Sequence, residues 1–181
     1  LQHTMIRRRL PLVLARSDSP LALQGLAVGL DDDDWNVRFR CARALESMRR
    51  RLPHMALGQE KLLRYVEQEL RAITAGGEKT QRLELVFLLF GAAYEPASLE
   101  LSWQALQGDD RNLRGTALEY LENLLPMHIW ALLQPIVAPG HVARKDKRSL
   151  KQAGQALRAA AASLKPKRRQ SSDTTAADEL E

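Results

Sequence analysis

The chain has 181 residues, with 5% aromatic residues, one cysteine and a formal net charge of +5. This length is sufficient for one domain or a short repeat array with a substantial core. A single cysteine excludes a disulfide framework and a four-cysteine zinc site, and the scarcity of aromatic and β-branched residues favours helices over a sheet.

The positive charge lies near the C-terminus. Residues 1–140 contain 17 basic and 17 acidic residues, whereas residues 141–169 contain ten basic residues and one acid. Residues 165–181 are polar and poor in hydrophobic residues, so we predict a disordered charged tail after a helical domain over residues 1–164. The longest apolar runs are shorter than the roughly 18–20 residues that cross a bilayer. We therefore expect a cytoplasmic part of a longer protein, since the chain begins with leucine and not methionine.

The first half of the chain predicts three helices. The first covers residues 3–16, where Pro11 either begins a shorter helix or kinks a longer one. Ser19 is a suitable N-cap for a second helix with Pro20 at its first position. Four aspartates at 31–34 then precede a helix over residues 35–51, where they suit the positive end of the helix dipole. Calcium loops need longer spacing and a central glycine, which disfavours metal binding.

The second half predicts six further helices. The first of these covers residues 58–75 and is ended by Gly76. The second covers residues 78–93, the most apolar segment, which we therefore expect to be central in the array. A helix begins at Pro96, and another lies between the acidic turn at 109–110 and Pro126. A short helix passes through residues 129–133, and we expect Pro135 and Pro139 to interrupt the chain beyond it. The last helix spans residues 141–164 and covers the end of the array with its alanine-rich half.

Residues 31–48 and 107–124 share one pattern, offset by 76 residues. The matching residues are Asp34, Asn36, Val37, Arg38 and Ala42 in one copy, and Asp110, Asn112, Leu113, Arg114 and Ala117 in the other. Short alternating helices with an acidic turn before an arginine-bearing helix resemble HEAT repeats, including the HEAT-like repeats of bilin lyases. Since HEAT units have about 40–47 residues, the offset is close to two short units, with residues 57–93 as a degenerate middle pair.

This resemblance implies an all-α fold, a short α-solenoid of HEAT-like helix pairs. It also implies structural roles for the repeated acid and base, which cap helices and bridge neighbouring repeats. The residues concerned are Asp34, Arg38, Asp110 and Arg114.

A closer resemblance covers residues 5–138, through the segments at 9–15, 82–89 and 117–126. These segments are similar to the soluble HEAT region appended to bacterial membrane proteins of the ATP/ADP-translocase and major-facilitator kinds. The resemblance implies a module at the cytoplasmic face of the inner membrane. It implies no transport residues.

Two surface features are candidates for contact with a partner. Trp35 beside the acidic turn either anchors a partner protein or packs onto the next repeat. The basic C-terminal segment has three interpretations: a solvated helix, an anionic membrane contact, or a nucleic-acid contact, which the absence of aromatic residues after residue 141 disfavours. The candidate basic residues are Arg144, Lys145, Lys147, Arg148 and Lys151.

No pattern for catalysis, a metal or a cofactor is present. The four histidines lack zinc-ligand spacing, Cys41 lies on an apolar helix stripe, and no serine has a nucleophile-elbow motif. We therefore expect a non-enzymatic protein-interaction or regulatory scaffold without a cofactor. The first alternative is a nucleic-acid-binding solenoid similar to HEAT-like DNA glycosylases, with Arg38, Arg40 and Arg43 on its concave face. The second is a bilin-lyase-like enzyme.

Overall fold

A computed structural model describes residues 2–140 and 148–163 of the chain. Within these ranges the protein consists of nine α-helices and contains no strand, which confirms the all-α prediction. The proposed tail, residues 165–181, and residues 141–147 lie outside the described residues. The helices are α1 (Gln2–Leu14), α2 (Pro20–Gly29), α3 (Trp35–Arg51), α4 (Gln59–Thr74), α5 (Lys79–Ala93), α6 (Pro96–Gln107), α7 (Arg111–Leu124), α8 (Met127–Val137) and α9 (Leu150–Ser163).

Side-chain caps explain where most of these helices begin. The first backbone amides of a helix have no partner within it, so a preceding side-chain oxygen that accepts their hydrogen bonds fixes the start. Ser19 caps α2 next to Pro20, and α3 has the predicted bounds after its aspartate cap. The carboxylates that cap the later helices α5, α6 and α7 belong to Glu78, Glu95 and Asp110.

Two predicted boundaries are wrong. The last helix begins at Leu150 and not at residue 141, because Arg148 and Ser149 are not helical. A reciprocal capping box produces this start: the Ser149 amide donates to the Gln152 side chain at 3.0 Å, and the Gln152 amide faces the Ser149 hydroxyl at 3.4 Å. Pro135 does not interrupt the chain, because it lies in the last turn of α8, which continues to Val137.

The segment predicted to be central is central, although α2 and α8 are more apolar than α5. α5 packs against α3, α4 and α6, and eight of its 15 residues are buried. At one end of the chain α1 packs on α3 and α2, with Pro11 inside a single longer helix. At the other end α9 packs on α7 and α6 through the buried residues Ala153 and Leu157. In the described ranges no helix combines the length and apolar character needed to cross a membrane.

Candidate functional site

The first repeated acid–base pair links the start of α3 to α1 and to the preceding turn. Asp34 accepts a hydrogen bond from the Asn36 amide at 2.8 Å and another from the Arg8 side chain of α1 at 2.8 Å. The Arg8 contact holds the pKa of Asp34 below its usual value, outweighing the opposite effect of desolvation. Arg38 donates to the carbonyls of Asp32 at 2.9 Å and Asp33 at 3.2 Å, and so fixes the turn.

The second pair is built in the same way. Asp110 accepts hydrogen bonds from the amides of Asn112 and Leu113 at 2.8 and 2.9 Å. Arg114 donates to the carbonyl of Leu106 near the end of α6 and to the carbonyl of Val137 at the end of α8. Arg114 therefore bridges the helices on both sides of α7.

The structure contains a third copy of this arrangement, which the sequence analysis missed. Glu78 caps α5 by accepting from the amides of Thr80 and Gln81, at 3.0 and 2.7 Å. Arg82 follows it by four residues, as Arg38 follows Asp34 and Arg114 follows Asp110. A search for any acidic residue four positions before an arginine, at a helix start, would have found this copy.

Two of the three arginines meet at one buried carboxylate. Arg82 of α5 donates to Glu69 of α4, and the Nε atom of Arg38 lies 3.7 Å from the same carboxylate. The second distance is an ion pair but is too long for a hydrogen bond. Glu69 thus joins α3, α4 and α5 through two cations.

Trp35 is partly exposed and packs within its own repeat. Its ring lies 6.0 Å from that of Phe39, and the Arg38 guanidinium lies 5.5 Å from the indole centroid. Such a cation–π contact adds to the hydrogen bonds that hold Arg38 in place. These contacts lie within α3 and not on the next repeat, and part of the indole faces solvent, so a partner contact through Trp35 stays a prediction.

An open groove lies between α3, α5 and α6, beside the acid–base pairs at the starts of α3 and α5. It has a volume of about 280 Å³. Its aromatic wall consists of Phe39, Phe87 and Trp103, and the last two rings lie 4.8 Å apart in a tilted arrangement. Trp103 is half-buried and contacts both the core and this groove. Aromatic side chains in a partly desolvated cleft are the usual anchors of protein contacts.

Charges of both signs surround the aromatic wall. Arg50 binds Glu46 on its own helix and Glu100 on α6, the latter at 2.9 Å. Arg43 and Glu84 are exposed on the rim and have no ion pair within the described residues. These two free charges are available to a bound partner.

The backbone of α5 comes close to α3 at the groove. A Cβ atom at Gly91 would lie 2.8 Å from the Cγ of Glu46, closer than real Cβ contacts allow. Glycine at this position therefore keeps Glu46 beside Arg50 and leaves the cleft open. Its role follows from helix packing, which the sequence does not reveal.

The alternative nucleic-acid face is largely occupied by internal contacts. Arg38 binds the turn and Glu69, and Arg40 donates to the Arg8 carbonyl at 2.9 Å. Of the three arginines assigned to that face, only Arg43 has no such contact in the described residues.

The basic C-terminal segment is described only in part. Arg144, Lys145 and Lys147 lie outside the described residues. Arg148 lies 3.6 Å from the buried carboxylate of Glu119, and its amide also donates to that carboxylate. Lys151 is exposed on the first turn of α9. A membrane contact through this segment stays a prediction.

Burial also explains why the thiol of Cys41, the single cysteine, is unreactive. Desolvation, with a smaller effect of Asp32, raises the pKa of Cys41 to about 12, so the thiol is protonated and unreactive at neutral pH. Among the described residues no group of three or more His, Cys, Asp or Glu side chains is arranged to hold a metal.

Comparisons with protein-family models, curated proteins and solved structures find no match to this chain. The candidate site therefore consists of three acid–base pairs, at the starts of α3, α5 and α7, and an aromatic groove beside the first two of them.

Proposed function

We propose that the chain is a non-enzymatic protein-interaction scaffold of HEAT-like helix pairs, and that a segment of a partner protein binds in the groove between α3, α5 and α6. The observation that carries this proposal is the aromatic wall of that groove, with two charges on its rim that have no ion pair in the part of the chain that the structure describes. Aromatic anchors surrounded by polar groups are typical of protein-binding hot spots.

Helix-pair contacts support the HEAT-like part of the proposal. α2 packs on α3, α4 on α5, and α6 on α7. The second helix of each pair begins with an acidic cap followed four residues later by an arginine. The arginines are 44 and 32 residues apart, and their mean spacing is close to the repeat length expected of such units.

The charge of the rim favours a protein over a nucleic acid. A nucleic-acid surface is strongly basic, because phosphate contacts supply most of its affinity. The rim of this groove instead contains two arginines and three glutamates. A mixed rim suits a peptide segment that carries both signs.

The geometry also indicates the chemistry of that segment. An aromatic or long aliphatic side chain would pack between Phe39 and Trp103. An acidic neighbour would pair with Arg43, and a basic neighbour with Glu84, since both rim residues are exposed and unpaired in the described structure. Charges placed in this way determine specificity and association rate more than affinity.

Selection from a displayed peptide library against the intact chain tests the proposal. We expect selected peptides to contain an apolar anchor flanked by both charges. Their affinity, measured by calorimetry, should fall about tenfold or more for the double variant Arg43→Glu, Glu84→Arg, which exchanges the rim charges. The control Arg111→Glu changes an exposed residue on α7 and should leave affinity unchanged.

Two results would contradict the proposal. Peptides that bind the double variant as well as the wild type would place the binding surface elsewhere. Tight duplex-DNA binding with a steep dependence on salt, in the absence of peptide binding, would favour the nucleic-acid alternative.

The same proposal places the scaffold on the cytoplasmic side of a bacterial membrane protein of the transporter-like kind that residues 5–138 resemble. Ten basic residues against one acid in residues 141–169 support a contact with an anionic leaflet, since each basic residue near such a surface contributes about 1 kcal/mol. Co-sedimentation with vesicles should require anionic lipid and decrease with salt. Binding that is independent of lipid charge would argue against this contact.

A further inference from the structure

An exposed apolar surface lies at the α1–α2 end of the described structure. Ile6 and Val13 of α1 are 64% and 65% exposed, and Leu21 and Val28 of α2 are 74% and 71% exposed. Three further residues of α1 are 50–58% exposed: Met5, Leu10 and Leu12. Exposed apolar side chains grouped on two neighbouring helices mark an interaction site more often than scattered exposed residues do. We call this surface the end face.

The apolar side chains of the end face are in register. Ile6, Leu10 and Val13 have the i, i+4, i+7 spacing that places them on one side of α1, and Leu21 and Val28 are spaced by seven on α2. A groove of about 380 Å³ between the two helices includes Leu10 and Val28 in its walls. The two helix faces therefore border one cleft.

The helices that form the cleft are themselves firmly packed. A Cβ atom at Gly25 of α2 would lie 3.1 Å from the Leu14 side chain of α1, so the two helices approach closely. Arg8 and Arg7 of α1 also bind Asp34 and Asp32 beyond the end of α2, at 2.8 and 3.3 Å. The end face is thus a preformed surface, not a loosely attached helix.

The charges around the end face identify its occupant. Arg7 and Arg8 of α1 are already paired with Asp32 and Asp34, so the charges left for a partner are the exposed ones. Both signs are present: Arg9 and Arg16 are exposed and have no ion pair within the described residues, and the acids Asp31 and Asp33 are exposed. An anionic membrane would select an excess of basic residues. A twofold interface places the same patch against itself, and so needs both signs together with a shared apolar stripe.

We propose that a second copy of this chain binds the end face, forming a twofold-symmetric dimer through α1 and α2. The interface uses helices that the α3–α5–α6 groove does not, so the dimer goes beyond the proposed scaffold function and presents two grooves. Ile6, Val13, Leu21 and Val28 form its apolar centre, and the arginines and aspartates around them form its polar rim.

Sedimentation equilibrium of the full chain tests this proposal. We expect the wild type to sediment as a dimer in the micromolar range, and the double variant Ile6→Glu, Val13→Glu to dissociate about a hundredfold more readily, because two unpaired charges per subunit would be buried. Met127→Glu is the matched control: Met127 is 86% exposed on α8, and its substitution should leave the dimer intact.

A second double variant, Leu21→Glu, Val28→Glu, tests the α2 side of the interface independently, in case the α1 variant fails to fold. Circular dichroism monitors the helix content of both variants. A monomeric wild type up to about 100 μM, or a dimer that both double variants leave unchanged, would overturn the proposal. Recruitment of the end face to anionic vesicles, abolished by the same substitutions, would overturn it in favour of a membrane contact.

Discussion

The Nε atom of Arg38 on α3 lies 3.7 Å from the carboxylate of Glu69 on α4. Arg82 on α5 binds the same carboxylate, and Glu69 itself is buried. One acid is therefore shared by two arginines from two different helices. Its loss leaves Arg82 without its carboxylate partner and removes the ion pair of Arg38.

Substitution of Glu69 tests that dependence. We expect Glu69→Ala to lower the free energy of unfolding by about 3 kcal/mol, because removal of one member of a buried ion pair leaves uncompensated charge. Urea denaturation monitored by circular dichroism measures this change. Glu67→Ala is the control: Glu67 forms a more exposed pair with Arg71 on the same helix, and its loss should cost less than about 0.5 kcal/mol.

The two aspartate caps should differ in importance. Asp110→Ala removes a cap from α7 and should cost about 1 kcal/mol. Asp34→Ala removes a cap and also the Arg8 contact that attaches α1, so we expect a larger loss. Thermal and urea unfolding of the two variants side by side compare them. Equal losses would show that the Arg8 contact contributes nothing measurable.

Stability should decrease in acid. The Arg8 hydrogen bond lowers the pKa of Asp34 below 3.8. Desolvation acts to raise the pKa of Glu95, but hydrogen bonds from Ser98 and Ala97 outweigh it and bring that pKa below 4.5. A carboxyl whose pKa is depressed by folding stabilises the folded state above its unfolded pKa, and this contribution is lost as pH falls through the folded pKa.

We therefore expect the urea concentration at the unfolding midpoint to be constant near neutral pH and to decrease at pH values below about 4.5. Arg8→Gln should raise the pKa of Asp34 and weaken part of this dependence. Arg9→Gln, at an exposed neighbouring position, should leave the pH dependence unchanged. Identical acid profiles for wild type and Arg8→Gln would contradict the assigned cause.

Gly29 and Cys41 should behave as a coupled pair. A Cβ atom at Gly29 would lie 2.4 Å from the Cys41 sulfur, so Gly29→Ala should cost about 2 kcal/mol through overpacking. Adding Cys41→Ala should recover most of that loss, and the double variant should be more stable than the sum of the two single effects. Gly115→Ala has open space on α7 and should be neutral or stabilising by up to about 1 kcal/mol. Additive single effects would refute the contact.

Local features of the sequence predicted the helices well. The start of α3 follows from its aspartate cap, and the start of α2 follows from Ser19 and Pro20. The start of α9 was predicted wrongly because the alanine- and lysine-rich segment has helix propensity on both sides of Ser149. The capping box at that residue determines the start, and it was overlooked.

Features that depend on packing between distant helices were not predicted. Phe39, Phe87 and Trp103 are 48 and 16 residues apart, so their meeting in one groove requires the arrangement of α3, α5 and α6. Glu69 resembles any other helical glutamate until α3 and α5 bury it. The third acid–base pair was visible in sequence but used glutamate in place of aspartate.

The shared carboxylate has a consequence for how the protein opens. In helical arrays each unit contributes its own stability and a coupling to its neighbours. Because Glu69 of α4 pairs with Arg38 of α3 and Arg82 of α5 at once, its ion pairs link all three helices. We expect the amides of these three helices to exchange with solvent at a single opening free energy, while α1 and α9, outside this linkage, exchange sooner. The middle of the molecule would then be one cooperative unit spanning more than one repeat.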